Sequence, residues 1–326
     1  MAKKIRLGLI GCGGNMQRAH LPRIQADKDV ELACVVDPEV EQAEALMDRW
    51  GEAVARYDDH RQMARNESLD AVFVSTPHAL HYEQVRLALQ KGWHVLVEKP
   101  LTVSARQTKA LIALADKHKR FLVVSYQRHY CAPYSYVREQ IREGAIGELR
   151  GVVAYVTQRW GMRMGWRLDP ALSGGGMFMD TGSHLVAATL WMTGLEPVEV
   201  SAFTDNSGRK VDINMVVNVR FKRGVLGTLN TFGGAGRHDE RVAIHGSEGC
   251  IVFHLHQWDV KTVLLNDEPI KIPARIKDTT PDAELFRWMR TEGKGYGPPD
   301  FALQVARLSE AAYKSAERKR TVAVAR

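Results

Sequence analysis

Six short runs, IRLGLI (residues 5–10), ELACVV (31–36), AVARYD (53–58), DAVFVS (70–75), WHVLVE (93–98) and RFLVVS (120–125), recur through the first third of the chain. All but the third are rich in Val, Ile and Leu, and most are separated by a segment with a charged face, such as PEVEQAEALMDRWG or SARQTKALIALADKHK. Strands that are apolar throughout must be covered on both faces, and helical crossovers between them make neighbouring strands parallel. Residues 1–125 are therefore expected to form a doubly wound α/β domain.

After about residue 125 the rhythm changes. A helical stretch around PYSYVREQIREG precedes a long strand, ELRGVVAYVTQRW, and an irregular segment of Trp, Arg and Met. A second helix is expected from about Gly175 to Thr193, punctuated by Gly194 and Pro197. Beyond it INMVVNVRF, VLGTLNTF, ERVAIHG and GCIVFHL alternate between Gly, Asn and Asp turns, the pattern of an antiparallel sheet. Residues 126–326 thus read as a second, α+β domain, with the last helix, DFALQVARLSEAAYKSAERK, packing back on the first. A chain of 326 residues with 45% hydrophobic content supports two cores.

The formal net charge is +7, but the basic residues are scattered apart from ERKRTVAVAR at the C-terminus, which reads as a solvated face. No nucleic-acid partner is expected; the balance suits anionic small molecules. Cys12, Cys34, Cys131 and Cys250 are far apart and form no C-x-x-C pair, which fits reduced thiols in a cytoplasmic protein. LIGC, Leu9–Cys12, behind MAKK has the look of a lipobox, but its apolar run of about five residues is short of the roughly seven a signal segment needs. No other stretch approaches bilayer-spanning length, so no membrane partner is expected.

GLIGCGGNMQRAH, Gly8–His20, follows the first strand. Gly11, Cys12 and Gly13 supply the G-x-G half of a dinucleotide fingerprint, and Met16 stands where the third glycine should fall. A strand, this turn and a helix together offer unpaired N–H groups and partial positive charge to a pyrophosphate. Gly11 permits the turn, and Gly13 or Gly14 lets a phosphate reach the backbone. Met16 can fill an irregular gap, so a slightly displaced helix is expected. Asp37 in ACVVDP ends the second strand, placed to accept from a ribose 2'-OH and to repel a 2'-phosphate, so NAD is preferred over NADP. From these residues alone, a ligand-free turn followed by a strand-ending acid remains the alternative.

HVLVEKPLTVSARQ ends the fifth strand with Glu98-Lys99-Pro100, at the carboxyl edge where doubly wound sheets place ligands. There the amine of Lys99 would reach into the crevice from a restrained backbone. In GGGMFMDTGSHLVAATLW, Asp180 and His184 interrupt an apolar helical stretch at i, i+4, which puts them on one face. Asp180 could hold one imidazole nitrogen and leave the other as a base, or the two could form a self-satisfied pair. His78 and His81 have helical spacing but no evident third metal ligand, and sit after the fourth strand where a cofactor would lie. His254 and His256 share one strand face and read as surface or interface residues. RWGMRMGWR, Arg159–Arg167, offers aromatic faces and guanidinium groups suited to a hydroxylated ring, or equally to an interface.

Taken together, GLIGCGG with AHLP, VVDP, VSTPHALHYE, VEKPL, WRLDPALSGGGMFMDTGSH and HGSEGCIVF resemble the Gfo/Idh/MocA oxidoreductase family, in family order through nearly the whole chain. The resemblance implies an N-terminal Rossmann domain and a C-terminal domain with a large open, mostly antiparallel sheet that supports homodimers or homotetramers. It makes Lys99, Asp180 and His184 the catalytic group. It places Gly11, Gly13, Gly14, Asn15, Met16, Asp37, Ser75, Thr76, His78, His81, Glu98, Lys99 and Gln127 at an NAD cofactor, with no metal. Tyr126, Arg163, Trp166 and Arg167 would join the catalytic group around a sugar, cyclitol or related polyol. The implied activity is hydride transfer between a ring CH–OH and nicotinamide; a redox-neutral NAD-dependent glycosidase and a non-catalytic sugar-sensing regulator are the alternatives.

Overall fold

The computed structural model describes residues 4–256, 259–291, 293 and 300–325, in two compact units. The first is built from β1 (Ile5–Ile10), α1 (Leu21–Gln25), β2 (Val30–Val36), α2 (Val40–Trp50), β3 (Ala55–Tyr57), α3 (His60–Asn66), β4 (Ala71–Val74), α4 (His81–Gln90), β5 (His94–Val97), α5 (Ala105–His118) and β6 (Leu122–Val124). Its six strands run β3-β2-β1-β4-β5-β6, and every pairing is parallel. Leu7, Leu9, Val72, Phe73, Val95 and Leu96 are fully buried, as continuous apolar strands require. The order reverses between β1 and β4, the switch point at whose carboxyl edge open parallel sheets place their ligands.

The second unit carries α6 (Ala132–Arg142), β7 (Leu149–Thr157), α7 (Pro170–Ser173), α8 (Ser183–Thr193), β8 (Pro197–Asp205), β9 (Asn214–Phe221), β10 (Leu226–Phe232), β11 (Asp239–Gly246), β12 (Cys250–His256), β13 (Asp259–Leu265) and β14 (Glu268–Pro269). The chain then forms α9 (Pro281–Thr291), α10 (Asp300–Arg318) and β15 (Val322–Ala323). The sheet order is β14-β13-β12-β11-β7-β10-β9-β8-β15, antiparallel except for the parallel pair β7 and β10. Burial alternates along β7 and β9, so one face forms a core with the helices and the other is open. The strand over Pro197–Asp205 has no counterpart among the sequence expectations.

Two expectations need correction. The last helix, α10, belongs to the second unit, where it lies against β8 and α8. Its buried stripe of Ala302, Val305, Leu308, Ala311 and Ala312 fits that sheet, and β15 then pairs with β8 and ties down the chain end. The segment that returns to the first unit is α9, within Thr280–Pro299. Phe286 stacks on Phe73 with ring centroids 5.4 Å apart, and Leu285 and Trp288 are buried beside it. The helix expected from Gly175 also starts later: a π-helical turn over Phe178–Gly182 precedes α8. A Cβ on Gly176 would lie 1.8 Å from the carbonyl oxygen of Asp212, so this glycine is pressed against backbone.

Candidate active site

The glycine loop follows β1 directly. Gly11 has φ +88°, and a Cβ there would come within 2.5 Å of the Ser75 carbonyl oxygen, so the position accepts only glycine. A Cβ on Gly13 would meet nothing within 4 Å. That open face is the room a phosphate needs to reach the backbone. Asp37, at the tip of β2, shapes the loop: Oδ2 accepts the Cys12 N–H at 2.7 Å and Oδ1 accepts the Glu39 N–H at 2.9 Å. Burial and then the Asp37 charge push the Cys12 thiol up to about 12, so it is an inert filler. Asn15 donates to Ser75 Oγ at 3.4 Å. Met16 is fully buried, and the helix opens into a π turn over Met16–His20 where the third glycine would have let it close on the strand.

That π turn carries His20 into the interior. Its Nε2 lies 3.0 Å from Glu98 Oε1 and its Nδ1 2.7 Å from Asp282 Oδ1, while Arg23 donates to Asp282 Oδ2 at 3.0 Å. Burial opposes a charge on His20, but Asp282 and then Glu98 outweigh it and raise its pKa to about 10. Burial likewise opposes a charge on Glu98, and the hydrogen bond and charge of His20 hold its carboxyl well below the usual range. Oε2 of Glu98 accepts the backbone N–H of Lys99 at 3.3 Å. Lys99 itself is half-buried at the tip of β5, ahead of a cis bond to Pro100.

The other expected cofactor residues cluster at the same edge. Thr76 donates to Gln84 Oε1 at 2.6 Å. His81 is wholly buried, with its ring nitrogens 2.9 Å from the carbonyl oxygens of Thr76 and Pro100. Burial lowers its pKa, and a neutral ring donates to one of those carbonyls at a time. It thus braces the loops after β4 and β5. His78 is also buried, its ring 6.0 Å from that of His81.

In the second unit, Asp180 sits within the π turn and is nearly buried. Both Trp160 Nε1, at 3.0 Å, and Arg167 Nε, at 3.1 Å, donate to its Oδ2. The Arg167 guanidinium also stacks on Trp166, 4.5 Å from the ring centroid. His184 is half-buried in the first turn of α8. Behind this turn the buried Asp212 accepts the N–H groups of Gly176 at 2.6 Å and Phe178 at 2.8 Å, and the hydroxyl of Tyr313 at 2.7 Å. The Tyr313 oxygen in turn accepts the Met179 N–H at 3.1 Å. Arg163 is exposed between Met162 and Met164; Tyr126 is buried, and Gln127 opens a 3₁₀ turn.

The first unit therefore gathers the glycine loop, Asp37, Ser75, Thr76, His78, His81, Glu98 and Lys99. The second gathers Trp166, Arg167, Asp180 and His184. Sequence reasoning missed His20, Asp282, Trp160, Asp212 and Tyr313. AHLP and the Thr-Pro-Asp start of α9 held signals for the first two, but nothing local links residues 262 positions apart. Among the described residues no group of three His, Cys, Asp or Glu could hold a metal ion.

Residues 5–126 match a family model described as an oxidoreductase family with an NAD-binding Rossmann fold, and residues 134–252 match the GFO/IDH/MocA C-terminal domain. The chain belongs to the Gfo/Idh/MocA oxidoreductase family. This member is 30% identical over 197 residues to a D-glucoside 3-dehydrogenase of Escherichia coli (strain K12), a match that takes in 60% of this chain and 56% of that relative. An aldose-aldose oxidoreductase from Caulobacter crescentus, solved with glycerol, superposes with a TM-score of 0.86 at 25% identity, over 98% of this chain and 100% of the other. A WlbA dehydrogenase from Chromobacterium violaceum, solved with NADH and UDP-GlcNAcA, superposes with a TM-score of 0.86 at 25% identity, over 99% and 96%.

Proposed function

We propose that this Gfo/Idh/MocA member is an NAD-dependent dehydrogenase that moves a hydride between nicotinamide and the CH–OH carbon of a sugar, cyclitol or related polyol. The observation that carries the reading is the carboxyl edge of one parallel sheet, which holds both the open glycine loop at Gly13 and Lys99 on the carboxylate-tethered tip of β5. Names of relatives, a glucoside dehydrogenase and an aldose oxidoreductase, support the substrate class. Gly13 and Gly14 would receive the pyrophosphate and Asp37 the adenosine ribose, with Asn15, Ser75, Thr76, His78 and Gln127 around them. Bound NAD supplies the two-electron acceptor. His184 takes the hydroxyl proton, and Asp180, its carboxylate pinned by Trp160 and Arg167, orients and stabilises the resulting imidazolium. Lys99 donates a hydrogen bond to the oxygen as negative charge develops on it. Tyr126, Arg163, Trp166 and Arg167 contribute to holding the ring.

The four cysteines are free, which supports a reducing cytoplasmic setting. We assign self-association, as a homodimer or homotetramer, to the open face of the second sheet. The test of the activity is a screen of sugars and inositols with NAD and NADP at alkaline pH, read by reduced-nicotinamide absorbance. On the substrate found, Lys99→Ala and His184→Ala should each lower kcat by about 100- to 10,000-fold while NADH fluorescence titration still shows binding. Undiminished turnover in both variants refutes the assignment.

A further inference from the structure

The cluster around His20 is unlike an ordinary core histidine. Its ring is fully buried, edge-on to Phe73 at 5.9 Å, in a place where charge is costly unless paired. Both ring nitrogens nonetheless face carboxylate oxygens, which accept only, so the arrangement is complete when both nitrogens carry protons. One partner, Glu98, has its second oxygen on the Lys99 N–H. The other, Asp282, comes from α9 and is anchored by Arg23, two residues before α1 ends. A continuous chain of charge-assisted contacts thus runs from the helix after the glycine loop to the backbone of Lys99.

We propose that His20 is a positioning residue for the cofactor crevice: through Glu98 it locks the backbone of Lys99 to the helix that follows the glycine loop. The π turn is what makes this possible. A regular helix continuing from Gly14 would present a different residue to Glu98, and the extra residue of the π turn, whose Met16 and His20 are both fully buried, rotates His20 inward. Asp282 keeps the imidazolium charged without itself entering the loop or the β5 tip. The role rests on the dehydrogenase reading only for its consequence, cofactor affinity; the mechanical link is a property of the protein alone.

Hydrogen–deuterium exchange of the full-length, ligand-free protein tests the link. In His20→Gln, peptides spanning residues 14–20 and 97–101 should both lose protection by about tenfold, as expected for one charge-assisted contact, while peptides from α2 keep theirs. Asp282→Asn, which leaves Glu98 untouched, should show the same pattern more weakly, and guards against a His20 variant that fails to fold. The pair His20→Gln with Asp282→Asn, in which amides can replace the ionic contacts, should restore protection at 97–101. NADH fluorescence titration should give a dissociation constant about tenfold higher in His20→Gln, recovered in the pair. Unchanged exchange at 97–101, uniform loss across the first unit, or equal NADH affinity in wild type and His20→Gln overturns the proposal. Wild type that binds no NADH sinks the dehydrogenase reading instead, and exchange at 97–101 then decides the link by itself.

Discussion

Single residues here serve two neighbours at once. Asp37 lends one oxygen to the Cys12 N–H and the other to the Glu39 N–H, so the acid assigned to the ribose also sets the shape of the phosphate loop. In sequence it is followed by Pro38, and no cation stands beside it. The fold brings Arg56 from β3 to its carbonyl oxygen at 3.3 Å, where Arg56 is also paired with Asp58. His20 gives a prediction at this scale. Its pKa in the folded protein is about 10, above the ordinary 6.5, so its contribution to stability is fully present below 6.5 and is lost as pH rises through 10. Glu98 acts oppositely, its contribution lost on acidification below its ordinary 4.5. Thermal midpoints of the wild type should therefore fall as pH is raised from 7 towards 10, and those of His20→Gln should fall less. Parallel declines in the two proteins would show that His20 is not the titrating group.

At the scale of elements, the six strands of the first sheet were legible to within a residue or two, because five of the runs, such as DAVFVS and RFLVVS, are short, rich in Val, Ile and Leu and mostly separated by segments with a charged face, and the weaker AVARYD falls in the same rhythm. β8 was not, since PVEVSAFTD starts at a proline and puts Glu199, Ser201 and Phe203 on the open face, which breaks the apolar signal. The π turns were legible only in part: Met16 in place of a glycine signals a displaced helix at the first, but periodicity sees a regular helix from Gly175 and gives no sign of the π turn at Phe178–Gly182. The candidate site was legible where its residues are adjacent in sequence, as in Glu98-Lys99, whereas the contacts of Asp180 with Trp160 and Arg167 were not. Trp160 and Asp212 reach it by tertiary contact alone. Two glycines separate loop function from loop structure. Gly13→Ala should leave the thermal midpoint near that of wild type, because its Cβ enters open space, yet weaken NADH binding. Gly176→Ala drives a methyl into the Asp212 backbone and should cost about 1–3 kcal/mol in chemical denaturation. The reverse pattern would remove the phosphate loop from its assigned place.

For the whole molecule, the open face of the second sheet exposes apolar side chains that no other element of the described residues covers. Val153, Leu226 and Phe203 are 48%, 55% and 68% exposed on it, and Val153 and Leu226 line a shallow concavity of about 490 Å³. Apolar residues grouped on a sheet face mark an association surface more often than scattered ones do. Size-exclusion chromatography with light scattering should give an oligomer for the wild type and a monomer for Phe203→Glu combined with Leu226→Glu, with the circular dichroism of the fold retained. A monomeric wild type would dismiss this face as an interface. The first unit closes differently. Its core is completed by α9, whose Phe286 covers Phe73 and whose Asp282 meets His20. During synthesis, then, the domain that emerges first from the ribosome has to wait, partly assembled, until residue 291 has been made, and the order of translation and the order of completion part company.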